Sequence, residues 1–214
     1  MKLYTFFRSS AAFRVRIALN LKGISYESMP RLFAKNEHRS AEYLALNPQG
    51  LIPALDTGSA VLSQSLAIIE YLDETCPAPA LLPADAIGRA RVRSMALAIA
   101  CDIHPLNNLR VLNYLREELA QDGDKVKDWY RHWITEGFQG IEAMAREFST
   151  RRRFLYGDTV SLADVCLLPQ IFNARRFDTD LSPFPALVSI GAHLESLPEF
   201  ANARPEVQPD AVIG

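Results

Sequence analysis

The sequence predicts an α/β domain followed by an all-α domain, on three observations. Residues 1–75 alternate short β-like runs with runs of helical period, and residues 76–83 (CPAPALLP) set three prolines within seven positions. Beyond them the apolar residues recur at helical spacing alone. A chain of 214 residues has room for two domains and a proper core.

The first strand is expected over Leu3 to Phe7 and the first helix from Ser10 to Lys22, with an apolar set of Val15, Ile17, Ala18, Leu19 and Leu21. Serine makes a good N-cap, because its hydroxyl accepts from an otherwise orphaned backbone N–H. That explains one serine of Arg8-Ser9-Ser10, not both, and not the arginine. A strand follows at Ser25 to Met29, a helix at Arg39 to Leu46, strands at Ile52 to Asp56 and Ala60 to Leu62, and a helix at Ser65 to Glu74. The proline-rich run then reads as a linker, giving domains 1–80 and 86–214.

In the second domain helices are expected at Arg89 to Leu119, Val126 to Arg146, Leu162 to Arg176 and Leu187 to Leu197. The breakers between them are Gly123, Gly157-Asp158 and Pro183-Phe184-Pro185. Ser161-Leu162-Ala163-Asp164 reads as a capping box, with Val160 and Val165 at the staple positions. This is a folding signal.

A formal net charge of -2 gives no sequence-wide attraction for nucleic acid or an anionic membrane. No run approaches the roughly 20 apolar residues that span a bilayer, and the N-terminus has no leader pattern, so a cytoplasmic protein is expected. Cys76, Cys101 and Cys166 lack paired or His-flanked spacing, so neither disulfides nor a metal site is indicated. They are expected to be reduced, two of them in the core.

Five segments together carry a resemblance: Arg8-Ser9-Ser10 with Arg14-Val15-Arg16-Ile17-Ala18-Leu19, Asn47-Pro48, Ile52-Pro53-Ala54-Leu55, Gln64-Ser65-Leu66-Ala67-Ile68-Ile69-Glu70-Tyr71-Leu72, and Cys101-Asp102-Ile103-His104-Pro105-Leu106-Asn107-Asn108. The chain resembles the cytosolic glutathione transferases over nearly its whole length, and its motifs resemble the zeta class, which includes maleylacetoacetate and maleylpyruvate isomerases. The resemblance implies a thioredoxin-like first domain, glutathione as cofactor, a cis Pro53, a homodimer, and a place in aromatic amino acid catabolism. One departure is Ala11, where zeta members often carry cysteine. The family analogy makes glutathione's own sulfur the nucleophile, so the chemistry survives the change.

The chemical task is then to hold a thiol of ordinary pKa about 8.5 as a thiolate at neutral pH. A hydroxyl donor and a helix N-terminus both favour the anion, and lowering the pKa by ~2 takes only ~2.7 kcal/mol. By resemblance Ser9 is assigned to the sulfur, with Ser10 as cap and second donor. Gln64 and Ser65 open a helix whose free N–H groups suit the glutamyl carboxylate. The Ile52 backbone can pair with the tripeptide as an added strand does, while His38 and Gln49 are candidates for the glycyl end.

His104 and Asn108, four apart on one expected helix with Pro105 kinking it, are assigned to the cofactor site opposite the sulfur. Arg8, Arg110 and Arg176 make sense together if the substrate is a dianion, because guanidinium pairs with carboxylate bidentately. Thiolate addition to a cis double bond, rotation and elimination would return the trans isomer and unchanged glutathione. Three competing readings are a transferase for small electrophiles such as α-halo acids, a non-catalytic binding module, and a thiol-disulfide oxidoreductase. The helix start Ser-Ser-Ala-Ala disfavours the last, since it lacks a cysteine. Retention on immobilised glutathione separates enzyme from module.

Overall fold

The computed structural model describes residues 1–212. Four strands, β1 (Lys2–Thr5), β2 (Glu27–Pro30), β3 (Ala54–Asp56) and β4 (Val61–Ser63), form one mixed sheet in the order β2-β1-β3-β4. β1 runs parallel to β2, with Lys2 opposite Glu27 and Thr5 opposite Pro30. β3 is antiparallel to β1, with Leu3 opposite Leu55, and Leu55 in turn faces Leu62 on antiparallel β4. A parallel pair demands a crossover, and helix α1 (Ser10–Leu21) supplies it. Helices α2 (Ala41–Leu46) and α3 (Ser65–Thr75) complete the unit.

The two central strands bury Leu3 and Leu55 completely, and Tyr4, Ala12, Tyr43, Ile52 and Ala54 form a second cluster. α1 is buried nearly all round. Its Arg14 and Arg16 are each only 1% exposed, though both are cations set among apolar positions.

Contacts group residues Met1–Ala80 with the segment from Ser196 onward, and Leu81–Glu195 as a second unit. The sequence reading put 86–214 in one domain; its last part instead belongs with the first unit. Asn20 Nδ2 donates to Glu199 O at 2.8 Å, Arg16 Nε to Ala203 O at 3.0 Å, and the Phe7 N–H to Asp210 Oδ2 at 2.8 Å. Polar pairings some 180–200 positions apart leave no periodic trace in a sequence.

The second unit holds α4 (Ala86–Leu97), α5 (Leu109–Glu117), α6 (Gly123–Phe148), α7 (Leu162–Arg176) and α8 (Pro185–Glu195); a short α9 (Pro198–Ala201) lies in the first unit. The single helix expected over Arg89 to Leu119 is broken. α4 widens into a π-helical stretch over Ala98–Ile103, a turn follows, and Asn108 caps α5. Pro105 cannot donate to the ladder, and the turn's Leu106 carbonyl accepts from the Trp129 indole at 2.8 Å. α6 approaches this stretch closely: a Cβ on Gly137 would lie 2.3 Å from the Ile103 side chain.

The capping box at α7 is present, and its acid is fully buried. Asp164 accepts from the Ser161 N–H and hydroxyl at 2.8 and 2.7 Å and from the Leu155 N–H at 2.7 Å. The cysteines are free, but only Cys166 is buried; Cys76 is half-buried and Cys101 exposed. The expectation of two core cysteines therefore fails at one position. No helix among the described residues is long and apolar enough to cross a membrane, and no group of three or more His, Cys, Asp or Glu among them could hold a metal.

Candidate active site

The turn after β1 delivers Ser9 to the start of α1. Its N–H donates to Phe6 O at 2.9 Å, its carbonyl accepts from Phe13 N–H at 2.8 Å, and its backbone is extended. Ser9 Oγ accepts from the Ala12 N–H at 3.2 Å, so Ser9 itself is the N-cap. This corrects the assignment of the cap to Ser10, which is the first helical residue and 7% exposed. The cap and the candidate donor are one side chain: a hydroxyl that accepts through a lone pair keeps its own proton for another partner. α1 has no acid in its first turn, so its positive end is unopposed there. Arg8 is exposed, its guanidinium 4.9 Å from the Phe7 ring centre.

α3 starts under strain. Gln64 sits at φ 70°, ψ 117°, a conformation that costs a residue with a side chain about 1–3 kcal/mol. Its side chain makes no cap bond; Gln64 Nε2 donates instead to Gln49 Oε1 at 2.8 Å, which joins two candidate residues. Ser65, 6% exposed, accepts from Arg14 Nη1 at 3.3 Å, leaving its proton to point elsewhere. Arg14 is the residue that sequence reasoning missed. The one signal available was a cation between Phe13 and Val15, inside an otherwise apolar stretch of α1.

The loop before β3 is pinned at Leu51, whose carbonyl accepts from Tyr43 Oη at 2.7 Å and Asn47 Nδ2 at 2.8 Å. Asn47 Oδ1 also takes the Gln49 N–H at 3.2 Å, which explains the buried Asn47 before Pro48. Ile52 is 8% exposed and the Ile52-Pro53 peptide is cis, as the resemblance implied. His38 is half-buried and stacks on Phe33 with ring centres 4.2 Å apart. Burial first, and the Arg39 charge second, lower its pKa, so the imidazole is neutral at pH 7. Ser9, Ser10, His38, Gln49, Ile52, Gln64 and Ser65 thus all lie in the first unit.

In the second unit, His104 ends the π-helical stretch, with its N–H donating to Ile99 O at 3.0 Å. It does not share a helix face with Asn108, because the helix stops between them. Asn108 Oδ1 accepts from the Arg110 N–H at 3.1 Å, which gives it a capping role. Arg110 is exposed in the first turn of α5, on a different helix from the stretch that His104 ends. Arg176 is the last residue of α7, exposed, with its guanidinium 5.1 Å from the Phe177 ring centre. Phe177 in turn stacks on Tyr130 at 3.6 Å, and the Arg176 charge partly offsets the burial that raises the Tyr130 phenol.

The family models for the N-terminal and C-terminal domains of glutathione S-transferase match residues 1–74 and 127–189. The chain is 52% identical over 211 residues to a probable maleylacetoacetate isomerase of Vibrio cholerae, covering 98% of this chain and 97% of the relative. A solved holo structure of maleyl pyruvate isomerase, described as a bacterial zeta-class glutathione S-transferase, superposes with TM-score 0.96 at 50% identity, covering 98% and 99% of the two chains. A maleylacetoacetate isomerase of Methylobacterium extorquens, solved with malonate and glutathione bound, gives TM-score 0.93 at 39% identity over 98% of each chain. With the serine at the start of α1 and the strained turn into α3, these matches show that the chain belongs to the glutathione S-transferase family, in its zeta class.

Proposed function

We propose that this protein is a glutathione-dependent isomerase that converts a maleyl dicarboxylate, maleylacetoacetate or maleylpyruvate, to its fumaryl isomer. The observation that carries the reading is Ser9, whose hydroxyl is fixed by the Ala12 N–H at a helix start free of acids, which leaves its proton to donate to a bound anion. The relatives matched over nearly their full length carry the names of maleylacetoacetate and maleylpyruvate isomerases, which supports the choice of substrate class. When bound, glutathione supplies a thiolate that adds reversibly to the cis double bond and so permits rotation.

The residues present fit such a tripeptide. Ser9 donates to the sulfur, and the free N–H groups of α3 with Ser65 take the glutamyl carboxylate, backed by the buried Arg14 charge. The Ile52 backbone offers a strand edge, and Gln49 and neutral His38 serve the glycyl end. Arg8, Arg110 and Arg176 are assigned to the carboxylates of the dianion and the charge that develops on it, His104 and Asn108 to the cofactor, and Ser10 to a second donor beside Ser9. A homodimer in the cytoplasm, acting in aromatic compound breakdown, completes the proposal.

The test is conversion of maleylpyruvate or maleylacetoacetate followed by NMR, with glutathione present at a small fraction of substrate. Full conversion with glutathione recovered intact is expected. Stoichiometric loss of glutathione into a conjugate would overturn the isomerase reading in favour of a transferase.

Two substitutions probe the binding roles. Ser65→Ala is expected to weaken glutathione binding by ~1–3 kcal/mol, since one donor to a carboxylate goes while the helix start remains. Calorimetry with an unchanged affinity would remove Ser65 from the site. Arg176→Met keeps much of the side-chain volume and is expected to cut isomerisation about tenfold, near 1.4 kcal/mol, while conjugation of glutathione to a neutral aryl halide hardly changes. If both rates fall together, Arg176 is a helix-terminal charge and no more.

A further inference from the structure

The turn that carries Ser9 is held from behind by residues far away in the chain. Arg16, 1% exposed, donates through Nη2 to Phe7 O at 2.9 Å, through Nη1 to Thr5 Oγ1 at 3.2 Å, and through Nε to Ala203 O at 3.0 Å. The Phe7 N–H donates to Asp210 Oδ2 at 2.8 Å, and Asp210 is also 1% exposed. Both main-chain groups of Phe7, two residues before Ser9, are therefore committed to buried charged side chains. The Ser9 N–H closes the same turn onto Phe6 O.

Burial pulls Arg16 down to about 10, with Tyr26 and Asp210 acting the other way, so the guanidinium stays charged at neutral pH. A buried cation without acceptors is costly, and the oxygens of Thr5, Phe7 and Ala203 are what let Arg16 sit beneath the turn, with Tyr26 and Asp210 adding attraction without a direct bond. Two buried side chains that grip the same peptide from both of its groups stabilise the turn, but they also set its geometry. A hydroxyl donor acts on a developing anion only when it is held within a few tenths of an ångström of its working position.

We propose that Asp210, acting with Arg16, is a positioning residue for Ser9: the segment around residues 203–210 braces the Phe6–Ser9 turn so that the Ser9 hydroxyl is preset toward the glutathione sulfur. This rests on the reading of Ser9 given above. A brace of purely structural value would lower the melting temperature and leave the titration of the bound thiol untouched. The proposal requires that both respond.

Asp210→Ala removes the acceptor of the Phe7 N–H, whereas Asp210→Asn keeps an oxygen in the same place. Each is compared with wild type and Ser9→Ala, below the melting point of the least stable variant. In the ligand-free protein, exchange of the Phe7 amide with deuterium is expected to quicken about tenfold or more in Asp210→Ala and little in Asp210→Asn. In the glutathione complex the thiolate absorbance should titrate higher in Asp210→Ala by about 0.5, with kcat down about tenfold and the glutathione KM within about twofold. Asp210→Asn should recover most of each effect.

Faster Phe7 exchange with an unchanged thiol titration and kcat would overturn the brace as a positioning device. A Ser9→Ala protein that titrates like wild type would remove the Ser9 reading, and the brace with it; a shifted Ser9→Ala beside a silent Asp210→Ala sinks the brace alone. If Asp210→Ala does not fold, Arg16→Lys reads the same quantities, because it keeps the charge and loses the fork that reaches Phe7 O and Ala203 O together. The same upward titration and fall in kcat are expected of it, and normal values overturn the proposal.

Discussion

Replacing Asp164 with alanine is expected to destabilise the chain by about 3–5 kcal/mol, a large share of what holds a domain folded. The carboxylate is wholly buried and satisfies the N–H groups of Leu155 and Ser161 and the Ser161 hydroxyl, all at 2.7–2.8 Å. Alanine orphans two backbone donors that no water reaches, and each costs about 1–3 kcal/mol, with the lost cap of α7 added. Denaturant unfolding at neutral pH measures it. A loss under about 1 kcal/mol would show that the loop before α7 rearranges to supply other acceptors.

The same group carries a pH signature. Burial pushes the Asp164 carboxyl up to about 6 and outweighs the hydrogen bonds from Leu155, Ser161 and its own backbone N–H that favour the carboxylate. A raised folded-state pKa means that the native chain holds the proton more tightly than the unfolded one. Its contribution is therefore fully present below the unfolded value of about 3.9 and is lost as pH rises through 6. The stability of wild type relative to Asp164→Asn should decline between pH 4 and 6 and flatten above about pH 7. A difference constant over that range would place the carboxyl at an ordinary pKa.

Ser9→Ala is expected to lower kcat for isomerisation about 100-fold, near 2.7 kcal/mol, which is the scale of losing one donor to a developing or resident anion. Glutathione KM should change little, because the contacts proposed for the tripeptide's carboxylates and backbone lie elsewhere. One hydroxyl is both cap and donor, so the substitution should also cost about 1 kcal/mol in stability through the lost bond to Ala12 N–H. Ser10→Ala tests the second donor without the cap: Ser10 is buried in the first turn and does not cap, so a fall in its rate is not a capping effect. Thiolate absorbance of the glutathione complex against pH is the direct readout. An unaltered titration in Ser9→Ala would move the role to Ser10 or to the helix start alone.

What could be read from the sequence were the features written in neighbouring residues. Helix α7 runs over Leu162–Arg176 as expected because a capping box, a staple and helical periodicity all lie within a few positions of its start. Gln64 and Ser65 were legible as a helix start for the same reason, but the positive φ of Gln64 was not, since a glutamine carries no sign of strain that its surroundings impose. The break at residues 104–108 was underestimated as a kink. Pro105 alone would bend a helix; the π-helical widening and the new cap at Asn108 turn the bend into an interruption.

The buried arginines stayed hidden for another reason. A cation on a helix reads as solvent-facing unless its partners are known, and those of Arg16 include Ala203, 187 positions later. The roles of Arg110 and Arg176 in substrate recognition rest on resemblance and on the exposed helix ends where they stand.

The return of the chain to its first unit also orders events during synthesis. When residue 80 leaves the ribosome, the four strands and helices α1 to α3 have been made, yet the Arg16 guanidinium lacks Ala203 O and the Phe7 N–H lacks Asp210. At roughly 5–20 residues per second, translation takes about 6–26 s to supply them. For that interval the nascent domain carries a buried-to-be cation short of one acceptor, and a turn whose Phe7 N–H still awaits its own. On the bracing proposed above, competence for glutathione chemistry arises only once residues 203–210 have been made, after the helical unit, so a ribosome stalled between the two units is expected to hold a first domain whose serine is not yet braced.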